Sequence, residues 1–136
     1  MKKPISKLKK ELDKWFSLFI RLRYSDRLGM VECFTCGNIK YYKAGMQNGH
    51  FQSRSNLNTR FDEENCQAQC VACNVFKFGE QFKFATNLNK KYGDGTAEEL
   101  QIKSKQIVKL NRVDYEEKIS YYKTHVDKLI KDKDII

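Results

Sequence analysis

The sequence has a single proline, Pro4, and no low-complexity tract, so nothing in it reads as a linker that would divide the chain. It also lacks any run approaching the roughly 20 apolar residues of a membrane-spanning helix. Its best stretch, Trp15 to Ile20, is interrupted by Ser17 and followed by Arg21 and Arg23. The start, Met1-Lys2-Lys3-Pro4, leads into Lys7, Lys9, Lys10 and Glu11 and not into an apolar segment, so no secretory signal is read there. Internal repeats are missing as well. These absences argue against a membrane protein and a multidomain assembly, and they make the cytoplasm the expected location.

Aromatics and positive charge are plentiful. A hydrophobic content of 40%, with nine Phe, seven Tyr and one Trp, is enough for a core and argues against wholesale disorder. The length suits one domain over residues 1–136, since domains usually take roughly 100–200 residues. Lys and Arg number 26 against 17 Asp and Glu, a formal charge of +9. That excess suits a polyanion such as nucleic acid, although a solvated lysine-rich face gives the same count.

Ile5, Leu8, Leu12, Trp15, Phe16, Phe19 and Leu22 recur at spacings of three and four, which predicts an amphipathic helix within residues 1–28, ending before Gly29. Lys7, Lys10, Lys14 and Arg21 lie off that stripe, as phosphate contacts or as an ordinary charged face. From Val31 to about Cys73 the helical period disappears. Val31 to Phe34, Ile39 to Tyr42 and Met46 to Phe51 alternate there with Gly37, Gly45 and Gly49, predicting short strands and turns. Helical character returns after Cys73 with Phe76, Phe82, Phe84 and Leu88, and breaks at Gly93-Asp94-Gly95. Thr96 with Glu99 marks a capping box for a helix to about Leu110. Asp114 with Glu117 marks another for a last helix bearing Ile119, Tyr122, Val126 and Leu129. The expected organisation is an N-terminal helix (1–28), a central core (29–93) and C-terminal helices (94–136).

Five cysteines in a chain read as cytoplasmic do not suit a disulfide framework. Cys33-Phe34-Thr35-Cys36-Gly37 and Cys70-Val71-Ala72-Cys73 are two CxxC pairs with 33 residues between them, and four thiolates in two such knuckles match a structural zinc site. The gap exceeds the roughly 15–20 residues of a compact zinc ribbon, so a further element is inserted between the knuckles. A thioredoxin-type redox pair would need only one CxxC. Cys66 is left over. It could pair with Cys70, but the Cys70 and Cys73 spacing repeats the first knuckle, and Cys66 then reads as a small buried apolar residue.

Between the knuckles lie Gln47-Asn48-Gly49-His50-Phe51-Gln52-Ser53-Arg54 and then Asn65, and Asn74 follows the last cysteine. A lone histidine is more often structural than catalytic, and an Asn after CxxC is more often a cap or turn residue than a ligand. Here the order of strand residues, His50, Asn65 and an Asn74 opening a helix beside four cysteines is that of a ββα-metal (HNH-like) nuclease. The expected fold class is therefore α+β, a small zinc-stapled ββα-metal core flanked by N-terminal and C-terminal helices. Phosphodiester hydrolysis needs an activated water and neutralisation of charge on the phosphate and leaving oxygen. Neutral His50 suits the base, because an imidazole with a pKa of about 6.5 accepts a proton at physiological pH. His125, near Tyr121, Tyr122 and Lys128, has no neighbour in the sequence that completes a site.

The run Phe19-Ile20-Arg21-Leu22-Arg23, the first knuckle, Gly49-His50-Phe51-Gln52-Ser53-Arg54, Thr59-Arg60-Phe61-Asp62-Glu63-Glu64-Asn65, Gln69-Cys70-Val71-Ala72-Cys73-Asn74 and Phe76-Lys77-Phe78-Gly79 together resemble the NinG/Rap family of phage recombination endonucleases. The resemblance implies a phage or prophage enzyme of the bacterial cytoplasm that cuts branched DNA such as Holliday junctions. A symmetric homodimer suits a substrate with two strands to cut. The arrangement is also similar to endonuclease VII-type phage resolvases, in which the Asn after the last cysteine holds the catalytic ion. That likeness implies Mg²⁺, or Mn²⁺, on Asn74, and products with 5′-phosphate and 3′-hydroxyl ends.

Asn65 is then a supporting residue that pins the turn between hairpin and helix. Arg54, Arg60 and Lys77 are the nearest candidates for DNA phosphate contacts. Many HNH enzymes have an Asp before the catalytic His, where this chain has Gly49. Gly-His is similar to the DRGH-type nonspecific nucleases, although Gln47 stands in place of their Asp. His50 is thus open to reading as base or as metal ligand. Competing functions are an HNH-like nicking nuclease without branch preference, a noncatalytic zinc module that binds nucleic acid, and a zinc-stapled protein adaptor. The last two leave His50 and Asn74 without a role.

Overall fold

In chain order, the computed structural model, which describes residues 2–135, consists of α1 (Ile5–Leu22), β1 (Met30–Glu32), β2 (Ile39–Tyr41), β3 (Met46–His50), α2 (Leu57–Arg60), β4 (Cys66–Cys70), a π-helical turn (Ala72–Phe76), α3 (Gln81–Tyr92), α4 (Thr96–Ser104) and α5 (Arg112–Asp132). The fold is mixed α and β. None of the helices among the described residues is long and apolar enough to cross a membrane.

Helix α1 buries Leu8, Leu12, Phe16, Phe19 and Ile20 as one stripe, and α5 answers with Tyr115, Ile119, Tyr122 and Val126. The Phe16 and Phe19 rings both meet Tyr122, with centroids 4.9 and 5.1 Å away. Ile5, expected on the stripe, is exposed at its start. The helix stops at Leu22, well before Gly29, because its last carbonyls find other donors. Ser25 Oγ donates to the Leu22 carbonyl at 2.9 Å, and Lys133 Nζ donates to those of Leu22, Arg23 and Ser25 at 2.9, 3.1 and 2.7 Å.

The two expected capping boxes are also corrected. Gly95 precedes α4, Thr96 Oγ1 donates back to the Gly93 carbonyl at 2.7 Å, and the helix ends at Ser104 and not at Leu110. Asn111, not Asp114, caps α5. Its side chain accepts from Asp114 N at 2.8 Å while the Asp114 carboxylate accepts from Asn111 N at 2.9 Å.

Two antiparallel hairpins fill the centre. Strands β1 and β2 pair Met30 with Tyr41, and β3 and β4 pair Met46 with Cys70 through to His50 with Cys66. The hairpins join where Phe34 N donates to the Ala68 carbonyl at 2.8 Å. A second, smaller core forms from Phe84 and Leu88 of α3 with Leu100 of α4. Phe76 and Phe82, read from the sequence together with these, are instead exposed.

Strand β4 is Cys-Gln-Ala-Gln-Cys and is buried throughout. The amide nitrogens of its glutamines are bonded, while Gln69 Oε1 is buried without a hydrogen-bond partner. Gln67 Nε2 donates to the Glu64 carbonyl at 3.0 Å and to Tyr92 Oη at 3.1 Å, and Gln69 Nε2 donates to Thr35 Oγ1 at 3.0 Å and to the Gly79 carbonyl at 2.9 Å. Gln69 Oε1 lies over Gly49, 2.0 Å from where a Cβ would stand, so any side chain at residue 49 would force Gln69 to move. Gly49→Ala is expected to destabilise the protein by about 1–3 kcal/mol in urea denaturation, the range for overpacking a filled interior.

Candidate functional site

Cys33 and Cys36 sit in the connection between β1 and β2, Cys70 ends β4, and Cys73 lies in the π-helical turn. Their four sulfurs lie within 4.8 Å of one another, with Cys36 and Cys70 at 3.7 Å. Zn–S bonds of about 2.3 Å in a tetrahedron set sulfurs about 3.8 Å apart, so the cluster could hold zinc. Burial, and after it the neighbouring thiols, push Cys73 up to about 12. Burial also raises Cys33, but the backbone N–H of Cys70, at 3.3 Å from its sulfur, the Thr35 hydroxyl and nearby amides outweigh it and bring that thiol to about 6. Donors aimed at a sulfur favour its thiolate, the form a metal needs. Cys66 stands apart, fully buried, with Sγ 3.4 Å from the Arg60 carbonyl.

A polar cleft of about 480 Å³ opens between α1 and the second hairpin, lined by Asp13, Ser17, Gln47, Asn48, His50, Ser53, Arg54 and Asn74. It brings His50 and Arg54, from one segment, together with Asn74 from another. His50 Nε2 lies 3.0 Å from the Arg60 carbonyl. Burial lowers the His50 pKa below its usual value, and the charges of Arg54 and Arg60 act in the same direction, against the carbonyls of Arg60 and Asn48. Asn74 Nδ2 donates to Gln47 Oε1 at 2.8 Å, which orients its amide. Asn48 Oδ1 is buried without a partner. Oxygen donors of this kind suit a hard divalent cation.

Other expected site residues take different positions. Arg60 is nearly enclosed: its Nε and Nη2 grip the Asp13 carboxylate, Nε at 3.0 Å, and its Nη1 donates to the Arg54 carbonyl at 3.0 Å. Its guanidinium is therefore committed within the protein and is not offered to phosphate. Arg54 remains exposed, touching Asp13 at 3.4 Å, and Lys77 is exposed on the loop after the π-helical turn. Arg21 is likewise engaged, with Nη1 2.6 Å from the Tyr42 carbonyl.

Asn65 is fully buried and pins the long loop inside the second hairpin, not a turn between hairpin and helix. Its Oδ1 accepts from Gln52 N at 2.8 Å, and its Nδ2 donates to the carbonyls of Gln52 and Thr59 at 3.1 and 3.0 Å. His125 rests on Tyr121, ring centroids 4.1 Å apart, with Nδ1 2.8 Å from the Tyr121 carbonyl. Asp13 and Asn48 line the cleft without having been marked by the sequence. The available signal for Asp13 was an acid among the lysines off the apolar stripe.

Fold and site define a small mixed α and β protein with a four-cysteine cluster able to hold zinc and a polar cleft beside it. The family described as "NinG: Bacteriophage Lambda NinG protein" matches residues 1–132, and the chain belongs to that family. Over 100 residues, 73% of this chain, it is 30% identical to "Protein ninG" of Escherichia phage 933W, covering 47% of that protein, and 29% identical to "Protein ninG" of Escherichia phage lambda, covering 46%. The chain thus spans about half the length of the curated relatives it matches. No solved structure matches it.

Purified protein is expected to carry one zinc per chain by elemental analysis, and Cys36→Ser or a strong chelator should lower that content and the thermal midpoint together. Asp13→Asn should weaken the grip on Arg60 and cost about 1–3 kcal/mol in denaturant. In the same variant the ring resonances of His50 should shift in NMR spectra while those of His125 stay in place.

Proposed function

We propose that this protein is a Mg²⁺-dependent DNA endonuclease that cuts branched DNA, such as Holliday junctions, in the cytoplasm of a phage-infected bacterium. The observation that carries this reading is the meeting of His50 and Asn74 in one polar cleft beside a four-thiol cluster. Membership of a phage protein family and a charge of +9 support it. So does the order of elements, an antiparallel hairpin followed by the helical turn that bears Asn74, which is the order read from the sequence as ββα-metal.

With its Nε2–H donated to the Arg60 carbonyl, a neutral His50 carries its lone pair on Nδ1. Its lowered pKa keeps the ring neutral at pH 7 and able to accept a proton. His50 takes that proton from the water that attacks phosphorus. The bond from phosphorus to the 3′ oxygen breaks, leaving a 5′-phosphate and a 3′ oxygen that is protonated from solvent. Asn74, its amide set by Gln47, and Asn48 present the oxygens that would hold the divalent ion. Mg²⁺ bound there would neutralise charge on the phosphate and leaving oxygen. Arg54 and Lys77, with Lys7, Lys10 and Lys14 of α1, are the exposed cations for flanking phosphates. Two copies in a symmetric dimer would offer one cleft to each strand of a junction.

The test is cleavage of a labelled four-way junction and its matched linear duplex by the zinc-loaded protein, with Mg²⁺ and without added divalent ion, beside folded His50→Ala. Junction cutting that needs Mg²⁺ and falls by about 10²–10⁴ in His50→Ala is expected. The rate should be level around pH 7 and drop only below the depressed His50 pKa, by about tenfold per pH unit. Equal cutting of junction and duplex would remove the branch preference. Tight DNA binding with no cutting in Mg²⁺ or Mn²⁺ would reduce the protein to a noncatalytic zinc module.

A further inference from the structure

Four large apolar side chains left in solvent fall within eight residues: Val75, Phe76, Phe78 and Phe82, with 49, 74, 88 and 85% of their surface exposed. Exposed apolar residues are ordinarily scattered singly, and a concentration of them marks a binding surface. The small core beside them is already filled, since Phe84 and Leu88 of the same helix as Phe82 are fully buried.

The backbone between Phe76 and Phe82 is unusual. Phe78, Gly79 and Glu80 have φ of 54°, 86° and 49°, three successive left-handed residues, two of which carry side chains that disfavour that conformation. The segment is nonetheless tied to the second cysteine knuckle. Gly79 N donates to the Cys73 carbonyl at 2.8 Å, Lys77 N to the Ala72 carbonyl at 2.9 Å, and Gln69 Nε2 to the Gly79 carbonyl at 2.9 Å. Residues 75–82 thus form an anchored ledge, and Asn74, which precedes it, lines the cleft.

Cations are interleaved with the rings. Lys77, between Phe76 and Phe78, is exposed, and Lys83 follows Phe82, reaching Glu80 only at 3.9 Å. Cores of protein interfaces are depleted of lysine, whereas surfaces that hold unpaired nucleic acid combine cations for phosphates with aromatic faces for bases. We infer that this ledge stacks unpaired or splayed bases of DNA, so that a strand leaving the duplex at a branch is held by Phe76, Phe78 and Phe82 with Lys77 on its phosphates. Bases in a continuous duplex stack on each other and present no face to a ring, so the ledge adds little to duplex binding. The inference rests on the nuclease reading for its choice of DNA, but it concerns binding and not cleavage.

The test measures binding of the full, zinc-loaded chain to a labelled four-way junction, a single strand and a linear duplex by fluorescence anisotropy, with Ca²⁺ in place of Mg²⁺. Phe76→Ala, Phe78→Ala and Phe82→Ala are each expected to weaken junction and single-strand binding at least about fivefold while duplex affinity moves within about twofold. A 2-aminopurine at the branch should be quenched by the native protein and less so by the variants. Zinc content and circular dichroism check the fold, and Phe→Leu at the same positions keeps the apolar bulk while removing the aromatic face, so it should show the same loss.

Equal loss on all three DNAs, or no loss on any, overturns the inference. A native dimer that the ring variants turn into monomers with unchanged DNA affinity would assign the ledge to a second copy of the chain and overturn it too. Native protein that binds junctions through the rings yet cuts nothing in Mg²⁺ upholds the ledge and removes the nuclease reading. Cutting by native protein with ring variants that bind and cut equally well removes the ledge alone.

Discussion

One buried amide connects the parts of this protein that matter for its site. Gln69 donates from Nε2 to Thr35 in the first cysteine knuckle and to the Gly79 carbonyl in the exposed loop, while its Oε1 occupies the space above Gly49, next to His50. Thr35 Oγ1 in turn lies 3.5 Å from Cys33 Sγ. A polar side chain with no exposed surface is costly unless its bonds are made; the two from Nε2 fix three segments relative to one another, while Oε1 is buried without a hydrogen-bond partner. Gly49 follows from this. The position before the histidine has no room for a carboxylate, because a glutamine from the neighbouring strand fills it.

A second constraint comes from α1. Asp13 clamps the guanidinium of Arg60, and the carbonyl of that arginine receives Nε2 of His50, so the terminal helix sets the histidine's orientation through one intermediate residue. The acid also has an electrostatic effect. It places a negative charge in the cleft of a chain whose formal charge is +9, opposite the exposed guanidinium of Arg54. Besides that ion pair, the cleft presents neutral amides, hydroxyls and an imidazole.

The readable features were those governed by local spacing. The two CxxC pairs predict a four-thiol cluster because each short loop aims two sulfurs at one point. The stripes of α1 and α5 are visible because each helix buries one face. Strand β4 was not visible, since Cys-Gln-Ala-Gln-Cys is buried only by virtue of partners such as Thr35 and Tyr92, remote in sequence. Arg60 looked like a phosphate ligand for the same reason. Its partner Asp13 lies 47 residues away, and no local pattern predicts the pair. Phe76 and Phe82 are not core because Phe76 lies in the π-helical turn before α3, and Phe82, two residues from the buried Phe84, stands on the opposite face of that helix. Thr96 looked like a cap but donates its hydroxyl backward, and Asn111, whose side chain does cap a helix, lies three residues before the expected position.

The reach of Lys133 to the last carbonyls of α1 ties the two ends of the described chain together. The end of the helix that supplies Asp13 is completed by an ammonium more than a hundred residues later, and its apolar stripe is covered by α5. The wall that bears Asp13 is therefore braced from two sides, by α5 over the apolar stripe and by Arg60 on the acid, so loosening α5 would reach the cleft through α1.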